Sequence, residues 1–279
     1  MSKRRDLETQ IHSLNEIREI MNAMKNLSLM EVHRLNRFLD TQRRVVAGIE
    51  AAAADFLLFH PELCPGEEEF RNVHLLLGSE RGFCGDFNES LVRALDNPIG
   101  STREVTRVVI GSKLGAKLAD DARVAAFLAG PSVVEEVDSV LMKLMETITA
   151  LRAPSHAGGP LRLTVFHHDA TGESVKISDL RPFQKRERKN VRFTHAPLLH
   201  LQPQVFVTGL AEQYLFAALH ELLYSSLMAE NQRRMQHIDS AVRRLERTSA
   251  ELWQKRNILR QEEITEEIEV IMLSVEALA

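Results

Sequence analysis

Apolar residues recur every seven positions at both ends of this sequence. Near the carboxyl end, Met228, Met235, Val242 and Ser249 form one row, and Ile238, Leu245, Leu252 and Leu259 form a second, offset by three. Two such rows make the a and d positions of a helical seam sustained for about four heptads. Near the amino end, Leu7, Leu14, Met21, Ser28 and Leu35 form one row, and Ile17, Met24 and Phe38 an offset row interrupted by Glu31. Charges fall between the rows, as on a solvated helix face. Proline agrees with this pattern. All nine prolines lie between Pro61 and Pro203, and each terminal segment holds a single glycine, Gly48 or Gly209. Proline removes a backbone donor and clashes with the preceding turn, so its absence favours uninterrupted helices. The pattern predicts helices over residues 1–60 and 204–279, pairing with each other in antiparallel fashion or with a second copy of the chain. At 1.5 Å per residue, the last ~75 residues would span roughly 110 Å if wholly helical. Asn231 and Arg256 interrupt the seam and help set its register.

Residues 61–203 read differently. Val73 to Gly78, Val105 to Ile110, Arg123 to Leu128, Leu161 to Phe166 and Ser174 to Ser178 are short apolar runs of strand type. Asn88 to Leu95 and Val133 to Leu151 read as helices, and a further one follows Gly111-Ser112-Lys113. Alternating strands and helices predict a small, mostly parallel, doubly wound sheet. The stretch from Arg181 to Phe193 is rich in Lys and Arg and reads as a connector. The expected fold is therefore a small Rossmann-like α/β domain joined to a long antiparallel coiled coil of the N- and C-terminal helices.

Composition narrows the function classes. The 279 residues are 44% hydrophobic and 27% charged, but only 5% aromatic, with one Trp and two Tyr. The apolar content is that of helix seams. A net charge of −4 gives no reason to expect nucleic acid. The basic start is followed by no apolar signal-peptide core, and no segment has the ~18 uncharged apolar residues of a membrane span. Two cysteines, Cys64 and Cys84, make no disulfide framework. A cytoplasmic location follows, with any membrane association indirect.

Three motifs invite chemistry. The loop from Gly78 to Asn88 follows a strand and opens a helix, where nucleotide folds hold phosphate. Its glycine spacing matches neither the dinucleotide fingerprint nor the P-loop. A structural loop whose glycines take positive φ is favoured. Cys84 lies where a thiolate could be stabilised, but no base can be assigned to it. His167-His168-Asp169 at a strand end could hold metal, yet neighbouring strand residues face opposite ways; turn histidines are the favoured reading. No cofactor and no metal are expected. The fourth cluster runs from Arg256 to Glu267 and is dense in directional hydrogen-bonding groups. It reads either as a solvated helix face or as a patch gripped by a partner, for which Arg is well shaped.

With Glu230, Arg234, Met235 and Ala241, that cluster resembles the C-terminal helix of the gamma subunits of F-type ATP synthases. Asn257, Arg260, Gln261, Ile264, Thr265 and Glu267 carry the same likeness. Ile20 to Lys25 is similar to the family's N-terminal I-T-K-A-M-K/E. Ser79 to Asn88 is similar to its S-D-R-G-L-C-G-G-F-N loop. The resemblance runs end to end and in order. Departures are Arg256 in place of a tyrosine, Asp86 in place of a glycine, Arg181-Pro182-Phe183 in place of L-P-L, and the final run from Leu273 to Leu278. They suggest a divergent branch such as the alternative N-type bacterial ATPases.

The resemblance implies a non-catalytic central-stalk subunit that couples ion translocation to ATP synthesis or hydrolysis. Its implied partners are the alpha and beta subunits, the epsilon subunit and the membrane c-ring, on the cytoplasmic side of the bacterial inner membrane. The implied contacts with the alpha/beta ring are Arg260, Gln261, Thr265 and Asn257, with Arg234, Met24 and Lys25 facing a second beta loop. Two other readings remain: a stand-alone coiled-coil scaffold, and an enzyme whose central domain binds a nucleotide.

Overall fold

A computed structural model describes residues 2–63, 70–95, 105–152, 161–181 and 198–276. Cys64 and nearly all of the basic connector lie outside them. Two helices account for the terminal segments: α1 (Ser2–Phe59) and α5 (Pro203–Glu276). Pro203 opens α5 rather than preceding it, as suits a residue with fixed φ and no donor at a first helical position.

Between them lie β1 (Arg71–Leu77), α2 (Phe87–Leu95), β2 (Val105–Ile110), α3 (Ser112–Lys117), β3 (Val124–Leu128), α4 (Val137–Arg152), β4 (Leu161–His168) and β5 (Val175–Leu180). A single 3₁₀ turn, Val134–Glu136, precedes α4, so the helix expected from Val133 begins one turn late. The sheet order is β3-β2-β1-β4-β5, parallel except for the β4–β5 hairpin. That hairpin turns at Asp169, whose carboxylate accepts from Thr171 Oγ1 at 2.7 Å and Ser174 Oγ at 3.0 Å.

The described chain gathers into two compact units, residues 1–28 with 235–279, and residues 29–234. The larger unit holds the sheet, because residues 29–59 of α1 and 203–234 of α5 pack against it. Strands buried on both faces explain the continuous apolar runs. Val73, Leu75 and Leu77 of β1 point to one face, where they meet Leu35 and Leu39 of α1, Leu141 and Leu144 of α4, and Leu219 and Leu223 of α5. Leu76 points to the other face, with Phe87 and Leu91 of α2 and Leu114 of α3. Each such leucine, fully buried, contributes roughly 1.5–3 kcal/mol. Within this unit α1 and α5 run antiparallel. Phe38 stacks on Tyr224 at 5.8 Å, Arg43 pairs with Glu221 at 3.5 Å, and Phe56 meets Phe206 at 4.9 Å.

In the smaller unit the same two helices also pair antiparallel. Lys25 donates to Asp239, and Arg4 to Glu263 at 2.9 Å. The α5 rows are those the heptads predict, with Ile238, Val242 and Ser249 buried. On α1 the first row holds, but the second is not Ile17, Met24 and Phe38: Ile17 and Phe38 are nearly half exposed. The second row is offset by four instead, through Ile11 and Lys25 here and through Val32, Leu39 and Val46 in the larger unit. Arg18 and Lys25 occupy two of its positions, and these charges interrupted its apolar signal.

Candidate functional site

Six of the seven expected contact residues lie in the smaller unit. Met24 and Lys25 are half-buried on α1, and the Lys25 ammonium is held by Asp239, which Arg243 also grips at 2.9 Å. Asp239 was not singled out from sequence, although it follows the seam residue Ile238. Both cations hold the Asp239 carboxyl below the usual carboxylate range, the hydrogen bond from Lys25 foremost.

Asn257, Arg260, Gln261 and Thr265 are exposed on α5. Arg256, which stands where a tyrosine was expected, lies over the Trp253 ring at 3.8 Å and donates to Asn257 Oδ1 at 3.0 Å. It is a charged group on an aromatic face. Thr265 Oγ1 donates to the Gln261 carbonyl at 2.9 Å, a bond within the helix. From Ile264 through Ser274 every side chain is exposed, including Ile264, Ile268, Val270, Ile271, Met272 and Leu273. Apolar side chains this open, interleaved with Glu266, Glu267 and Glu269, make the run a candidate contact surface.

Arg234, expected to face a beta loop, is in the larger unit. It is 4% exposed, and its donors are engaged inside the chain. Nε donates to the Gly82 carbonyl at 3.1 Å, Nη1 to Asn231 Oδ1 at 2.9 Å, and Nη2 to Glu230 Oε1. Glu230 in turn accepts the backbone N–H groups of Glu80 and Arg81, each at 3.2 Å. The Glu230 carboxyl is pushed up by burial, while Arg234 and the two N–H groups pull against that rise. The one local signal for this cluster is a Glu and an Arg four apart, just after the most apolar part of α5.

In the loop after β1 the expected positive φ is taken by only one of its glycines. Gly85 takes φ +61° and Phe83, a non-glycine, takes φ +63°, whereas Gly82 does not enter that region. The Cys84 thiol is pushed up to about 12, chiefly by burial, and donates towards the carbonyls of Arg81 and Gly82. Burial thus favours the thiol over the thiolate, against the pull of Arg234, whose Nη2 donates to the sulfur at 3.5 Å.

His167 and His168 are not turn residues. They end β4 and are buried on opposite faces. His167 Nδ1 donates to the His168 carbonyl at 2.8 Å, so its Nε2 accepts from Ser178 Oγ at 3.0 Å. His168 stacks on Phe87 at 3.9 Å, and its Nε2 donates to the Phe87 carbonyl at 2.9 Å. Among the described residues no three His, Cys, Asp or Glu side chains are placed to hold a metal ion. Burial lowers the pKa of both histidines.

Each is therefore neutral when folded and free to protonate when unfolded. As pH falls from the ordinary histidine value near 6.5, the unfolded chain takes up protons that the folded chain refuses, and stability drops. The urea midpoint of the isolated chain is expected to fall between pH 7 and pH 5.5, and less steeply in His168→Gln. Equal slopes in the two proteins would contradict this assignment.

The sequence model of a family described as ATP synthase matches residues 3–278. An ATP synthase gamma chain of Clostridium botulinum (strain Loch Maree) is 22% identical, over 97% of this chain and 96% of that one. An ATP synthase gamma chain of Caldanaerobacter subterraneus subsp. tengcongensis is 21% identical, over 95% and 96%. Among solved structures, the rotor of the Euglena gracilis mitochondrial ATP synthase in rotational state 1 superposes with TM-score 0.56 at 15% identity, covering 94% of this chain and 99% of that one. The OSCP/F1/c-ring assembly from the same organism, in rotational state 3, contains a chain with TM-score 0.61 at 13% identity, covering 99% and 95%. At these identities the structures testify to the fold.

Proposed function

Because the chain belongs to the ATP synthase gamma-subunit family, we propose that it is the central-stalk shaft of a rotary ATP synthase or ion-pumping ATPase. The observation that carries this reading is the family match over residues 3–278, joined to an antiparallel pairing of the terminal helices. The chain itself does no chemistry in this reading. The partners are the alpha and beta subunits, the epsilon subunit and a membrane c-ring. Among the described residues no helix is long and apolar enough to cross a membrane, so association with one runs through those partners. The place is the cytoplasmic face of the bacterial inner membrane.

A single asymmetric shaft within a near-threefold ring presents a different face to each catalytic site. Each beta subunit is thereby biased towards a different nucleotide affinity, and nucleotide occupancy biases the shaft angle in return. Arg260, Gln261, Thr265 and Asn257 are the exposed polar groups that would carry the angle to the ring, with the apolar run from Ile264 to Leu273 seated alongside them. Met24 and Lys25 would meet a second beta loop. Arg234 would act on that loop by holding α5 in place.

Arg260→Ala with Gln261→Ala removes two directional hydrogen-bonding groups from an exposed face. In the assembled ATPase, the coupled rate is expected to fall about ten- to a hundredfold, the loss of hydrogen bonds to charged groups worth ~1.5–3 kcal/mol. The isolated variant should keep its stability within about 0.5 kcal/mol, as surface substitutions do. A coupled rate equal to the parent complex would remove the proposed contact. Nothing observed favours the stand-alone scaffold reading over this one.

A further inference from the structure

Open parallel sheets hold ligands outside the carboxyl ends of their strands, where the strand order reverses. Here that point lies between β1 and β4, and α5 runs across it. Arg233 Nε donates to the Gly172 carbonyl, in the turn after β4, at 2.6 Å. Ser226 Oγ donates to the Leu77 carbonyl, at the end of β1, at 3.4 Å. Between these two anchors the Glu230 side chain enters the loop after β1.

Its surroundings are those of a bound oxyanion. Successive backbone N–H groups of Glu80 and Arg81 point at its two oxygens, and the Arg234 guanidinium closes the far side. Glu230 is 3% exposed and Arg234 4%. The space left beside them, between Gly78, Pro131 and Leu227, is about 10 Å³, too small for a nucleotide. A second carboxylate plays a related part next door. Glu80 accepts from Ser112 N at 2.9 Å, Ser112 Oγ at 2.7 Å and Gly130 N at 2.7 Å.

We infer that the crevice after β1 is an oxyanion-binding site which the chain occupies with its own Glu230 carboxylate, docking α5 to the loop from Ser79 to Cys84. The ligand class is a small planar or tetrahedral oxyanion. With Glu230 in place the site is full; without its carboxylate the two N–H groups and the Arg234 fork remain as an unfilled cradle. This site is independent of the assembly reading, since it is internal to residues 29–234.

The test uses the full chain carrying Glu230→Ala, with formate as the probe, because formate reproduces the missing carboxylate. In chloride the variant should melt well below the parent. Formate should restore at least half of that loss, saturably and in the millimolar range. The parent and Glu230→Ala/Arg234→Ala should show no such recovery. Sodium chloride at matched ionic strength, and the parent chain in formate, control for general stabilisation by salt. In labelled protein, the amide signals of Glu80 and Arg81 should shift with formate in the single variant only. Absence of recovery, or an equal rise in the parent, overturns the inference. If Glu230→Ala does not fold in chloride, refolding yield is read instead. Recovery in formate alone supports the site, and equal yields in formate and chloride count against it.

Discussion

Arg234→Met is expected to destabilise the isolated chain by about 3–5 kcal/mol, the range found when one partner of a buried ion pair is removed. The side chain volumes are similar, so a cavity is not the main cause. The cause is the Glu230 carboxylate, left 3% exposed with two backbone donors and no counter-charge. The carbonyl of Gly82 and the amide of Asn231 lose their donors in the same step. Lysine should not rescue, because its single ammonium cannot reach partners lying in three directions, as the guanidinium does. Arg234→Met combined with Glu230→Gln should be less destabilised than Arg234→Met alone, since the second change removes the stranded charge. Urea unfolding of the parent, the two single variants and the double variant measures this. A single variant within about 1 kcal/mol of the parent, or a double variant worse than the single by the full cost of Glu230→Gln, would show that the pair is not coupled as described.

Gly111→Ala should cost at least about 3 kcal/mol, from backbone strain and a collision together. Gly111 caps α3 with φ +106°, a conformation that L side chains rarely adopt. A Cβ there would lie 2.6 Å from the Gly78 carbonyl oxygen and 2.8 Å from that of Ser79. Neither oxygen can retreat. The Ser79 carbonyl accepts from Lys113 N at 3.1 Å, while Gly78 N donates to the Ile110 carbonyl and Gly111 N to the Leu128 carbonyl, each at 2.9 Å. The three strand ends are thus drawn together by backbone hydrogen bonds that a methyl group would separate. The same substitution at Gly209, in α5 with nothing within 4 Å of the added atom, should stabilise by about 0.5–1 kcal/mol. Opposite signs in thermal melts of the two variants are the expected result. A loss below about 1 kcal/mol at Gly111 would mean that the loop shifts freely.

Much of the architecture was readable from spacing. The confinement of proline to residues 61–203 marked both long helices, and the α5 rows were legible despite Asn231 and Arg256 because Ile238, Val242 and Leu245 keep their period. The strands appeared as apolar runs because a sheet covered on both faces needs no polar alternation. The second α1 row was hidden by Arg18 and Lys25, whose charges are tolerated at the seam; Lys25 finds its counter-charge, Asp239, on the other helix. No local pattern reports a partner more than two hundred residues away.

The candidate site divides in the same way. Arg260, Gln261 and Thr265 were picked out by the family resemblance, and the structure places them exposed on α5. Arg234 and Glu230 look equally polar in the sequence, yet they are among the most buried groups in the fold. His167 and His168 look like turn residues but end a strand, because the turn begins only where Asp169 can cap it.

Heptad spacing and the placing of proline were sufficient to set which segments are helical, since both act through neighbours within one or two turns. Which charges lie inside was set by α5 crossing the sheet at its switch point, where the Ser79–Cys84 loop supplies the N–H groups and carbonyl that Glu230 and Arg234 need. Burial of a charge is stable only when distant donors and acceptors converge on it, and that convergence exists only in the folded chain.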